Sequence, residues 1–109
     1  MNWRLWRVDK YKIKILPLAQ DDMKSILYHI RQDDPQAAVR MVAAVREAIS
    51  RLSEFPLMGS VPQDKKIADQ GYRKLIVRPY LVFYIVVSDE NIVKVHRVLH
   101  QRRNHLTLL

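Results

Sequence analysis

The residues best suited to chemistry crowd the end of the chain, where Lys94, His96, Arg97, His100, Arg102 and Arg103 lie within ten positions. Phosphodiester cleavage through a neighbouring 2′-hydroxyl needs a base for that hydroxyl, a cation for the phosphorane and an acid for the leaving oxygen. Imidazole and guanidinium groups supply all three. On a strand, alternate residues share a face, which points Lys94, His96, Val98 and His100 the same way. Lys74 and Arg78 alternate likewise upstream. The expected surface is a basic, histidine-bearing sheet face on which Lys74, Arg78, Lys94, His96 and Arg103 meet a target or nucleic acid. Charges alternating along an antiparallel strand also form an ordinary solvated face, and the pattern alone does not choose. Arg97 falls with Val93, Val95 and Leu99, the position of a structural arginine paired with a carboxylate.

Metal chemistry has no footing. His96 and His100 are four apart, which is ligand spacing on a helix and not on a strand. The chain has no cysteine, so thiolate catalysis, disulfides and cysteine-ligated zinc are excluded. No Ser/His/Asp set or glycine-rich phosphate loop is present, and no cofactor is expected.

These residues need a sheet to carry them. Tyr72 to Val77, Tyr80 to Val87 and Ile92 to Leu99 are rich in Val, Ile and Tyr and are separated by short breaks, as in an antiparallel meander. The middle run is apolar on both faces and belongs at the centre of the sheet. Tyr11 to Leu16 alternates apolar residues with lysine and reads as a further strand. Between them, Ala19, Met23, Ile26, Leu27 and Ile30 stand at helical spacing from Pro17 to about Gln32, with Asp21 and Asp22 complementing the helix dipole. Asp34-Pro35 starts a second helix whose stripe, Ala38, Met41, Val42, Val45, Ile49 and Leu52, runs to about Phe55. Residues 56–70 lack periodicity and read as a long loop. The order is β-α-α-β-β-β, an α+β fold with a helical hairpin packed on a small, mainly antiparallel sheet.

At 109 residues this is one domain over residues 11–109, and residues 1–10 are an N-terminal extension in which Trp3 and Trp6 interleave with Arg4 and Arg7. The net charge of +8 calls for an anionic partner, either nucleic acid or acidic protein. The excess lies at the two ends of the chain. With no apolar run long enough to span a bilayer or serve as a signal, a cytoplasmic location is expected.

Gly71-Tyr72-Arg73-Lys74-Leu75, Tyr80-Leu81-Val82-Phe83-Tyr84 and the ending Arg97-Val98-Leu99-His100-Gln101-Arg102-Arg103-Asn104 resemble the RelE/ParE toxin superfamily. The resemblance spans about residues 11–104, and Phe55-Pro56-x-x-Gly59 is similar to the turn after the second helix of its members. The ending is closest to ParE-type members and their plasmid-stabilisation relatives. The resemblance implies a growth-arresting toxin held in a hetero-oligomer by a cognate antitoxin. Its target would be DNA gyrase, as for ParE-like members, with cleavage of mRNA on the ribosome, as for RelE-like members, the alternative. On the RelE pattern, an arginine falls at Leu81 and a terminal catalytic tyrosine near Leu108. Arg102 matches the tail arginine, so a nuclease would use His100 and Arg102 as catalytic residues. A nucleic-acid-binding module without toxicity is a third reading. The element order is that of neither an RRM nor a double-stranded-RNA-binding domain.

Overall fold

The computed structural model describes residues 10–109. Lysines alternating with isoleucines form strand β1 (Lys12–Ile15). Pro17 opens helix α1 (Pro17–Arg31) at a position whose N–H needs no helical partner. Helix α2 (Pro35–Arg51) is capped by Asp34, whose carboxylate accepts from the Ala37 N–H at 3.0 Å. A short helix α3 (Lys65–Asp69) precedes strands β2 (Arg73–Val77), β3 (Tyr80–Val87) and β4 (Ile92–His100), and one turn of helix, α4 (His105–Leu108), ends the chain. The sheet order is β1-β4-β3-β2, with β1 parallel to β4 and the other pairs antiparallel. The α+β architecture read from the sequence is present.

Ala19, Met23 and Ile26 of α1, Val45 and Ile49 of α2, and Leu52 bury against Val82, Tyr84, Val93, Val95 and Val98 of the sheet. The opposite sheet face carries a second cluster, Ile67, Tyr72, Phe83 and Leu99, flanked by Leu108 and Leu109. The expected long loop over residues 56–70 therefore contains structure. Asp64 caps α3 by accepting from the Lys66 N–H, and Ile67 plugs the second cluster. Five residues are too few for a helical period to show. Helix α2 also stops at Arg51, four residues before the expected Phe55.

Two further expectations are corrected. Asp21 and Asp22 lie beyond the first turn of α1, which holds no acidic residue. The Asp22 carboxylate serves the sheet instead, accepting from Arg97 Nε and Nη2, both at 2.8 Å, and from the Val98 N–H at 2.9 Å. In β4 the pairing runs Phe83 to Arg97 and then Tyr84 to Val95, which leaves His96 as the extra residue of a β-bulge. The alternation slips there by one. Val98 consequently joins Val93 and Val95 under the helices, and His96 does not share a face with Val98 and His100.

Gly59 explains the Phe55-Pro56-x-x-Gly59 turn. Its N–H donates to the Tyr84 phenol oxygen at 2.9 Å, and a Cβ there would stand 2.5 Å from the Lys74 carbonyl oxygen. Only glycine permits that approach.

Ile49→Ala and Phe83→Ala should each cost about 2 to 5 kcal/mol by chemical denaturation, because both side chains are buried and leave cavities. Asp22→Ala should cost roughly 3 kcal/mol, since it strands a largely buried guanidinium and a strand N–H together. An Asp22→Ala loss below about 0.5 kcal/mol would mean that the ion pair contributes little.

Candidate functional site

The bulge sorts the chemistry-bearing residues onto two faces. On the face away from the helical hairpin, Lys94 stands opposite Ile85, and Lys74 opposite Phe83. There His96 packs edge-on against Tyr72, ring centroids 5.2 Å apart, with its Nδ1 3.4 Å from the Tyr72 hydroxyl. Desolvation pushes the His96 imidazole below the ordinary 6.5, and Lys94 adds to the effect. Desolvation likewise raises the Tyr72 phenol, which keeps its proton available to Nδ1.

His100 belongs to the other face. Its ring meets Tyr80 at 5.6 Å, and its Nδ1 accepts from the Arg102 N–H at 3.1 Å. A cleft of about 490 Å³ opens beside it, lined by Ser25 and His29 of α1, Tyr80, His100 and Arg103. His105 Nε2 donates to the His100 carbonyl at 3.0 Å, which ties α4 to the end of β4. Arg102 and Arg103 are exposed, and Arg78 is exposed in the turn between β2 and β3.

The structure thus brings Lys74, Lys94 and His96 to one face and His100 and Arg103 to the other. It leaves Arg78 at the sheet end, and the two imidazoles share no surface. Arg97 is committed to Asp22, whose hydrogen bonds hold the guanidinium above its ordinary range, and its Nη1 donates to the Leu108 carbonyl. Arg73, passed over in the sequence, donates through Nη2 to the carbonyls of Leu57 and Gly59 and pins the turn. Among the described residues no cluster of His, Asp or Glu is arranged to hold a metal. No described helix is long and apolar enough to cross a membrane.

The family model described as "ParE toxin of type II toxin-antitoxin system, parDE" matches residues 13–105. The chain belongs to this ParE toxin family. The Sinorhizobium fredii protein named "Putative toxin Y4kP" is 33% identical over 69 residues, covering 62% of this chain and 67% of that protein. Two solved structures share the fold. The chromosomal ParDE system of P. aeruginosa superposes with a TM-score of 0.69 at 18% identity, over 84% of this chain and 97% of that one. The RelBE2 toxin-antitoxin complex of Mycobacterium tuberculosis gives 0.61 at 24% identity, over 84% and 98%.

Within this ParE-family chain, the positions where the RelE pattern has an arginine and a tyrosine are filled with packing residues. Leu81 and Leu108 both lie against the second core cluster. The aromatic pair Tyr72–His96 borders that cluster and gives it a pH response. An unfolded histidine binds its proton near 6.5 and folded His96 binds it only at lower pH, so the unfolded state holds more protons in that interval. The stability that His96 contributes is present above 6.5 and is lost as pH falls below it. Urea midpoints at pH 7.5 and pH 5 should therefore converge in His96→Gln relative to the parent. An unchanged difference between the two pH values would count against this.

Proposed function

We propose that this ParE-family toxin is neutralised by a cognate antitoxin and, when released, arrests growth by inhibiting DNA gyrase. The observation that carries the reading is the separation of the two β4 imidazoles and the commitment of Arg97 to an ion pair. His96 and His100 sit on opposite sheet faces, Arg97 is held by Asp22, and Leu81 and Leu108 are packing residues. His96, His100 and Arg97 therefore do not converge on one phosphate, as hydroxyl-driven cleavage by these three groups would require. What is left is a basic surface suited to holding another macromolecule. The guanidinium groups of Arg102 and Arg103 are exposed and suited to carboxylate or phosphate recognition.

The cleft beside His100 supports a second reading, that of a ribosome-dependent endoribonuclease. His29, Tyr80, His100 and Arg103 line it together, so an imidazole, a phenol and a guanidinium face one cavity. Arg102 borders this group through its N–H bond to His100. Desolvation raises the Tyr80 phenol, which would suit it to donating a hydrogen bond and not to acting as a base at neutral pH.

Expression of the chain alone should stop bacterial growth, and co-expression of the adjacent small protein should restore it. Normal growth at verified soluble expression would sink the toxin reading. Purified protein should inhibit gyrase supercoiling and leave ribosome-bound mRNA intact. The reverse result selects the nuclease. Arg102→Ala with Arg103→Ala should keep the melting temperature within a few degrees, as exposed substitutions do, and abolish growth arrest. His100→Ala separates the readings again. It should leave a gyrase inhibitor toxic, whereas a nuclease using that imidazole would lose roughly 10²-fold or more in cleavage.

A further inference from the structure

At the end of the sheet where β4 stops, one face of α1 looks onto the last residues of that strand. Asp22, Ser25 and His29 follow one another three and four positions apart, which places them on a single helical stripe. With Tyr80, His100 and Arg103 they line the cleft of about 490 Å³. Tyr80 is the register partner of His100, so their rings reach the cleft as a pair. Arg103 follows in a turn closed by its own N–H on the His100 carbonyl. A helix face, a strand end and a turn thus contribute side chains from three directions.

The polar groups of this cleft are donors. The His100 Nδ1 accepts from the Arg102 N–H, which leaves the proton of the neutral ring on Nε2. The Ser25 hydroxyl, the His29 ring, the Tyr80 hydroxyl and the Arg103 guanidinium have no hydrogen-bond partner among the described residues. The one carboxylate, Asp22, is occupied: its two oxygens accept three hydrogen bonds, two from Arg97 and one from the Val98 N–H. His29 and Arg31 stand in the last turn of α1 and offset the partial negative charge of its carbonyl end. Beneath these groups the floor is apolar, made by the buried Ile26 and Val98.

We propose that this cleft binds a phosphate monoester, with the phosphate held by Ser25, His29, Tyr80, His100 and Arg103 and the organic part resting on the Ile26–Val98 floor. Donors without a free acceptor select an anion, and the unpaired guanidinium adds a charge-assisted bond. Donors arriving from three directions fit a tetrahedral oxyanion better than a planar carboxylate, which offers two oxygens. A monoester presents three acceptor oxygens and close to two negative charges, whereas the diester of a nucleic-acid backbone carries one charge. The volume falls within the roughly 300 to 1,000 Å³ of small-molecule sites, which leaves room for a sugar or base beside the phosphate. Binding here goes beyond either target reading, because it concerns a small ligand of the toxin and not what the toxin attacks.

The test titrates the full chain with AMP, adenosine, inorganic phosphate and the dinucleotide ApA, reading affinity by calorimetry and the histidine ring resonances by NMR. AMP should bind and shift the rings of His29 and His100, while His96, on the other face, stays in place. Affinity for AMP at least about 10-fold above that for inorganic phosphate assigns a nucleotide as the source, and equal affinity assigns free phosphate; both support the site. His29→Gln with Arg103→Gln, both exposed, should weaken binding about 10-fold or more at an unchanged urea midpoint. Tyr80→Phe, which removes one hydroxyl, should weaken it several-fold. Lys74→Gln with Lys94→Gln removes two charges from the opposite face and should leave affinity within about twofold. The site is overturned if neither AMP nor phosphate binds, if adenosine binds as tightly as AMP, or if the lysine variant loses as much as the cleft variants. Shifts at His96 without shifts at His29 and His100 overturn it as well. Tighter binding of ApA than of AMP replaces the monoester with RNA backbone and overturns the assignment. None of these results bears on growth arrest, which is scored separately by expression in cells.

Discussion

The Asp22 carboxylate holds together the half of the sheet where the chain ends. Strand β1 stops at Ile15, opposite Val95, while β4 continues to His100, so the last part of β4 has no strand on that side. A buried N–H left there would cost about as much as a lost hydrogen bond. Asp22 reaches across from α1 and fills the gap, taking the Val98 N–H and the Arg97 guanidinium together. Arg97 in turn donates to the Leu108 carbonyl, which sets α4 against the second core cluster. Strand edge, tail and the placement of Arg102 and Arg103 between them depend on one carboxylate.

The bulge at His96 is the second constraint. Without it, every residue of β4 beyond His96 would point to the other face, with Val98 on the side of the second cluster and Leu99 under the helices. With it, Val98 completes the core beneath the hairpin and Leu99 completes the cluster beneath α3 and α4. A strand buried on both faces can change parity midway only if apolar residues follow the slip, and Val98-Leu99 provide one for each side. The separation of His96 from His100 is the chemical consequence of that packing requirement.

The helical hairpin and the order of the strands along the chain were legible because their signals are local. Pro17, Asp34-Pro35 and the periodic apolar stripes each act within a few residues. The bulge was not legible, since period-2 reasoning assumes an unbroken register and no glycine or proline marks the slip. Arg97 could be recognised as a paired arginine from its apolar neighbours. Its partner could not, because Asp22 lies 75 positions away and satisfied a local rule for helix starts. Helix α3 escaped for the opposite reason, being too short for any periodicity, although Asp64 ahead of Ile67 was a usable capping signal. Among the candidate site residues, strand alternation placed Lys74, Lys94 and His96 together, and it misplaced His100 because the slip at His96 comes before it.

The charges divide in a way that bears on what kind of protein this is. The largely buried cation, Arg97, has a carboxylate held by two hydrogen bonds, and the exposed pairs Lys10–Glu54, Arg51–Glu47 and Lys65–Asp69 are surface contacts of small energetic weight. Lys12, Lys14, Lys74, Lys94, Arg102 and Arg103 form no salt bridge with a described residue. Uncompensated like charge weakens a compact fold through self-repulsion, and a chain at +8 bears that cost at each of these positions. An anionic partner that binds only the folded state removes part of the repulsion and adds its own binding free energy to stability. A catalytic site would require the cations and imidazoles to be locked by surrounding packing into a single geometry around the reacting atoms. Lys12, Lys14, Lys74, Lys94, Arg102 and Arg103 lie over two faces, an edge strand and a tail, where an anionic partner that covered them would add to the stability of the fold.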